Sequence, residues 1–372
     1  MLTPSGPGQV QGLKEWLSLF PRMEYSPRQR LSAVLAGRPC DRVPVLPLLA
    51  GWAAHHFSEG SPLETGQHPD RIAKVQISAR EALEYDGLFA YADPLYIPEA
   101  FGCRVRFSAS GLLVEPLALL PQNATVETID EISLPDPERS GRLPVILAAV
   151  RKLAEYSRGE IPVIGLFEGP FTTAGRLFET DRLLRLVYRN PPVLNRILDR
   201  VTDLLLSFGQ RLAENGAHLL LIPEPTGSAS LISPRMFNEW VLPRLQRITR
   251  HLGLPCILHI CGDTSPLLTS MAESGARVLS LDQCMDLKRS RNQLPGVVLG
   301  GNVDPVQALL LGTVETVREN TLDCLRRAGT EKFMLMSGCS LAPQTPVENI
   351  RAMIRTAREY GPGQSEDAGR SR

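Results

Sequence analysis

His259, Cys261 and the distant Cys339 are the side chains of this 372-residue chain best suited to hold a metal. The first two form a His-x-Cys pair in Pro255-Cys-Ile-Leu-His-Ile-Cys-Gly262, and Cys339 ends the run Met336-Ser-Gly-Cys339. Both segments read as short apolar strands, and residues two apart leave the same face of a strand. If the two strand ends are neighbours, three N/S donors converge. Three is the ligand count of a catalytic zinc site with an open position, whereas structural sites close with four. Buried cysteines are also ordinary core residues, and a histidine beside an apolar strand is often only hydrogen-bonded packing. The rest of the chain decides between these readings.

Short β-rich runs alternate with longer stretches of helical periodicity, the pattern of repeated βα units. Strands are expected at Val43–Leu49, Gly87–Ala92, Pro162–Phe167, His218–Pro223, Cys256–Ile260, Val278–Asp282, Val297–Gly301 and Phe333–Ser337. Amphipathic helices are expected between them, for example across Asp181–Arg211 and Val314–Ala328. Eight parallel strands with intervening helices close most economically as a (β/α)8 TIM barrel. Gly102–Pro121 breaks the pattern and reads as a small β-hairpin inserted after the second strand. Residues 1–23 read as an N-terminal extension, 24–360 as a single barrel domain and 361–372 as a polar, disordered tail.

Barrel chemistry sits at the C-terminal strand ends. There the chain places Glu168, Glu224, His259 with Cys261, Asp282 with Gln283, Asn302 with Asp304, and Cys339. A single Asp or Asn at such a place is usually a turn or capping residue. Six strand ends in series are less easily explained that way. Asp282 and Glu168 are the expected catalytic carboxylates, and Glu224, Asn302, Asp304 and His55 the expected substrate contacts. In Glu224-Pro-Thr-Gly-Ser228 a carboxylate and two hydroxyls suit orientation of a polar substrate. His55 and His56 follow the first strand, where loop histidines are most often simply solvated. Trp52 and Phe57 read as packing, as does Cys256, which faces away from His259.

Formal net charge is zero and no basic cluster stands out, which argues against a nucleic-acid surface. No apolar run is long enough to span a bilayer, and Met1–Gln11 lacks the basic-then-apolar order of a signal peptide, so a cytoplasmic location is expected. Seven cysteines scattered through a long chain do not form a disulfide framework, leaving free or metal-bound thiols as the default.

Several blocks in order resemble the uroporphyrinogen decarboxylase superfamily over about residues 26–360. They are Ser26-Pro-Arg-Gln-Arg-Leu, Gly37-Arg-Pro-Cys-Asp-Arg-Val-Pro44, Glu168-Gly-Pro-Phe-Thr172, Ile232-Ser-Pro-Arg-Met-Phe237, Gly301-Asn-Val-Asp-Pro305 and Pro343-Gln-Thr-Pro-Val-Glu-Asn-Ile350. Two places favour one branch. Leu49-Ala-Gly-Trp-Ala-Ala-His-His56 has no arginine where the decarboxylases carry a cationic segment, and Gly338-Cys339 stands where they tend to have Gly-His. With His259 and Cys261, this resembles the methylcobamide:coenzyme M methyltransferases and related corrinoid-dependent enzymes.

That resemblance implies Zn2+ on His259, Cys261 and Cys339, with a corrinoid as co-substrate on a partner corrinoid protein that caps the barrel. It implies methyl transfer between the corrinoid and a small molecule: a thiol of the coenzyme M type, tetrahydrofolate, or a methylated or methoxylated donor. Zinc coordination suits this chemistry, because it deprotonates a thiol near neutral pH. Porphyrinogen decarboxylation and non-catalytic tetrapyrrole binding are the alternatives. Relatives frequently carry an additional Glu near Gln283; its absence leaves Asp282, Cys284 or water as the fourth ligand.

Overall fold

The computed structural model describes residues 24–49, 51–91, 93–105 and 123–360. Seven strands form one parallel sheet in chain order: β1 (Leu88–Ala90), β2 (Val163–Leu166), β3 (Leu219–Pro223), β4 (Cys256–Ile260), β5 (Val278–Leu281), β6 (Val298–Val303) and β7 (Phe333–Ser337). Almost every strand residue is buried, as expected where both faces of a parallel sheet are covered. The architecture is α/β and TIM-like, with the sheet curled so that all strand C-termini open to one end.

The first expected strand, Val43–Leu49, differs from the expectation. It makes a single β-bridge, Val45 to Leu335 of β7, and no regular ladder. Pro44 and Pro47 are the reason, since neither can donate to a neighbour. What remains are Leu335 N–H to the Pro44 carbonyl (2.9 Å), Leu46 N–H to the Leu335 carbonyl (2.9 Å) and Asp86 N–H to the Val45 carbonyl (2.9 Å). The segment therefore lies between β7 and the start of β1. Asp86, fully buried, reinforces the junction by accepting from Val45 N–H (2.8 Å), Arg30 (2.7 Å) and Arg42 (2.6 Å).

The helices pack an apolar stripe on the sheet. In Pro191–Glu214 the buried residues Leu194, Ile197, Val201, Leu205, Phe208 and Leu212 recur at intervals of three and four. The long amphipathic stretch expected from Asp181 is split into Thr180–Arg189 and Pro191–Glu214. Pro191 and Pro192 cannot continue a helix but suit the first turn of a new one, which Asn190 caps through Val193 N–H at 3.4 Å. Among the described residues no helix is long and apolar enough to cross a membrane. The expected hairpin falls largely on residues 106–121, which lie outside the described residues, as do the expected extension over 1–23 and tail over 361–372.

Candidate metal centre

β4 begins and ends among bulky aliphatics, and its register against β5 sets His259 beside Ser280. The imidazole is buried, with Nδ1 at 3.2 Å from the Ser280 carbonyl and 3.1 Å from its hydroxyl. A carbonyl can only accept, so Nδ1 carries the proton and the Nε2 lone pair is free. Nε2 lies 3.4 Å from the Cys261 sulfur, and that sulfur lies 3.6 Å from the sulfur of Cys339. All three donor atoms fall within 4.8 Å of one another. Tetrahedral ligands at roughly 2.0–2.3 Å from one ion are themselves roughly 3.3–3.8 Å apart. The donor types, the freed Nε2 and these spacings fit a zinc-sized ion.

The sulfurs also influence each other. Hydrogen bonding from Cys261 holds the Cys339 thiol below its ordinary range, against the upward push of burial. The same bond, with burial and the carboxylates of Asp282 and Glu168, drives Cys261 up. Thiolate sulfur is a soft donor suited to a borderline cation.

Two glycines let the loops come this close. Gly262 follows Cys261 with φ of 82°, a left-handed turn that only glycine adopts cheaply. A Cβ on Gly338 would stand 2.6 Å from the Gln283 backbone nitrogen, so nothing larger lets Cys339 reach the end of β5. Asp282 joins the same loops, accepting from Gly262 N–H (2.8 Å) and Cys284 N–H (3.1 Å).

A cavity of about 210 Å3 opens beside the three donors. His259, Cys261, Cys339 and Ser340 line one side. Leu48, Leu49, Phe89, Leu166, Leu221 and Pro223 are prominent on the other, together with Tyr91, Glu168 and Arg176. Glu168 is buried and grips Arg176 through two contacts, at 3.0 Å to Nε and 2.9 Å to Nη2. Burial raises the Glu168 pKa while Arg176 opposes the rise. Burial, reinforced by the Glu168 and Asp93 carboxylates, keeps the Tyr91 phenol well above its ordinary range.

Five residues expected at the mouth do not line this cavity, and each has other partners. Both oxygens of Asp282 serve the loop amides just described. Glu224 is fully buried and caps the helix Pro170–Phe178, accepting from Phe171 N–H (3.0 Å) and Thr172 N–H (2.6 Å). Burial pushes its pKa up to about 7 against those hydrogen bonds. Asn302 donates to the carbonyls of Asp282 (2.9 Å) and Met285 (2.8 Å), bracing the loop after β5. Asp304 accepts from Val306 and Gln307 N–H, both at 2.8 Å, as an ordinary turn residue does. His55 is exposed on the helix Trp52–Phe57, edge-on to His56 at 5.0 Å. Trp52 packs in the core and donates to the Thr345 carbonyl at 2.7 Å. Cys256 is buried away from the donors, and Cys284 is exposed.

Sequence reasoning missed Ser280, Tyr91 and Arg176. Ser280 was readable in principle, since it lies two residues before Asp282 on the same face of its strand. Arg176 was not, because it reaches the cavity from a helix.

A curled parallel sheet with a His/Cys/Cys donor set and a cavity at its carboxyl ends defines a barrel carrying a candidate catalytic metal centre. The chain belongs to the uroporphyrinogen decarboxylase (URO-D) family, whose profile matches residues 26–360. A methylcobamide:CoM methyltransferase of Methanosarcina mazei is 28% identical over 342 residues, covering 91% of this chain and 99% of that protein. A uroporphyrinogen decarboxylase of Syntrophotalea carbinolica is 28% identical over 340 residues, covering 86% of this chain and 94% of the relative. A solved methyltransferase structure from Methanosarcina mazei superimposes with a TM-score of 0.80 at 26% identity, covering 90% of this chain and 99% of the other.

Proposed function

We propose that this protein is a zinc-dependent methyltransferase that moves a methyl group between a corrinoid, presented by a partner corrinoid protein, and a small molecule held in the cavity. The observation that carries this reading is the convergence of His259, Cys261 and Cys339 beside a cavity. Relatives of nearly the same length named as methylcobamide:CoM methyltransferases support it. When bound, zinc would supply the positive charge that keeps a thiol ionised near neutral pH.

The chain's own residues do the rest. His259 and the two cysteines would hold the ion at the strand ends, and Ser280 fixes the imidazole in its ligating tautomer. Asp282 ties the loops after β4 and β5 together, and Asn302 braces the second of them. Glu224 anchors the helix that carries Arg176. The apolar wall of Leu48, Leu49, Phe89 and Leu221 sheds water and aligns the substrate with the methyl group, which is where most of the acceleration arises. In the thiol direction the proton leaves to solvent, and the thiolate pair forms the new sulfur–carbon bond. The cobalt–carbon pair stays on cobalt, which passes from cobalt(III) to cobalt(I). A methylated donor uses the same steps in reverse.

Decarboxylation of a porphyrinogen is disfavoured by the same cavity. Its lining is mostly apolar, unlike a seat for a polycarboxylate. Its one cation among the described residues is already paired.

The test is metal analysis with zinc-edge absorption spectroscopy on purified protein, followed by demethylation of free methylcobalamin by thiols. Near-stoichiometric zinc with about two sulfurs at ~2.3 Å and one nitrogen at ~2.0 Å is expected, together with zinc-dependent demethylation. A metal-free protein to which zinc cannot be restored would end the proposal.

A further inference from the structure

Resting on that reading, we infer that the small-molecule substrate is electrically neutral apart from its reacting heteroatom, and apolar along its body. Coenzyme M, a thiol with a sulfonate, would then be a poor fit despite the names of the relatives.

Charge accounting at the cavity carries the inference. Arg176 is the one cation lining it among the described residues, and its Nε and Nη2 are both taken by the Glu168 carboxylate. The pair is neutral as a unit. Any sulfonate approaching Arg176 also approaches Glu168, whose oxygens cannot donate while ionised. Glu168 is buried, so its repulsion is weakly screened. The rest of the lining is mainly Leu48, Leu49, Phe89, Leu166, Leu221 and Pro223, with the hydroxyls of Tyr91 and Ser340, and none of these carries a charge to offset a buried anion. The Arg176–Glu168 pair is held from outside the cavity, since Arg176 rides on the helix whose first turn Glu224 caps. An incoming anion would therefore meet Arg176 only through the edge that Glu168 leaves, with the buried carboxylate close by. A neutral chain feels no such repulsion and buries its methylenes against the wall at ~0.8 kcal/mol each.

The test compares propane-1-thiol with 2-mercaptoethanesulfonate on zinc-loaded, full-length protein. Calorimetric Kd is read first, and the rate of methylcobalamin demethylation second. The neutral thiol is expected to bind at least about tenfold more tightly, the scale of leaving one charge poorly paired in a desolvated site. Glu168→Gln leaves Arg176 without its anion and is expected to narrow or reverse that ratio. Tighter binding of the sulfonate by the wild-type protein would overturn the inference, as would failure of either thiol to bind. So would an unchanged ratio in a folded Glu168→Gln variant. Binding in the expected order without any demethylation would support the inference while sinking the methyl-transfer reading, so the two failures are distinguishable.

Discussion

Cys339 and Ser280 test the centre from opposite sides. Cys339→Ala removes a small, half-buried thiol, and as mere packing that would cost about 1 kcal/mol with zinc content unaffected. As a ligand its loss should leave a folded protein with a small fraction of the wild-type zinc and no methylcobalamin demethylation, because two donors do not define an open tetrahedral site. Zinc titration of the folded variant, alongside its melting temperature, separates these outcomes. Ser280→Ala is subtler. It deletes the hydroxyl 3.1 Å from His259 Nδ1 but keeps the carbonyl contact, so zinc affinity should fall by about tenfold with little change in stability. Unchanged affinity in a competition titration with a chelator would show that the carbonyl suffices. The three donors were legible in the sequence because residue type, two-residue spacing and strand ends all agreed. Ser280 could be placed on the same face as Asp282 from its spacing, but its pairing with His259 needs the β4–β5 register.

The strands and loops show where pattern reading succeeds and where it stops. Seven of the expected runs are strands within a residue or two at each end, because continuous aliphatic runs bounded by Gly, Pro and polar residues have few other uses. Val43–Leu49 carried the contrary signal in Pro44 and Pro47, which removed the ladder while leaving the segment in place. Asp304 is a turn residue and Asn302 a loop brace, as the capping preferences of these side chains would have it. Loop closeness yields its own prediction. Gly338→Ala puts a methyl group against the Gln283 backbone, which cannot swing aside as a side chain would. About 1–3 kcal/mol of destabilisation is expected, with reduced zinc affinity as Cys339 is displaced. Chemical denaturation and zinc titration would measure both, and an alanine variant with wild-type values would mean that the loops move apart freely.

Across the whole molecule, the junction that brings residues 43–49 to β1 is electrostatic as much as apolar. Arg30 pairs with Asp41 at 2.5 Å and with Asp86 at 2.7 Å, a set of partners far apart in sequence and so invisible to local patterns. Burial pushes the Asp41 pKa up, but the hydrogen bond and charge of Arg30, with help from Arg42, outweigh it and hold the carboxyl below its usual range. A carboxylate whose folded pKa is depressed contributes its full stability above the unfolded value, about 3.9, and loses it as pH falls through the folded value. The melting temperature of Asp41→Asn should therefore trail the wild type at pH 6, with the gap starting to close as pH falls below about 4. A gap that stays constant down to pH 3 would refute the assignment.

The candidate donors and most of the apolar lining come from different strands. β4, β5 and β7 supply the donors and their orienting partner, while residues 48–49 and the ends of β1, β2 and β3 supply the wall. Recognition and reactivity are consequently separable by mutation. Exchanging Leu49, Phe89 or Leu221 for other apolar side chains would change the shape offered to a small molecule without touching His259, Cys261 or Cys339.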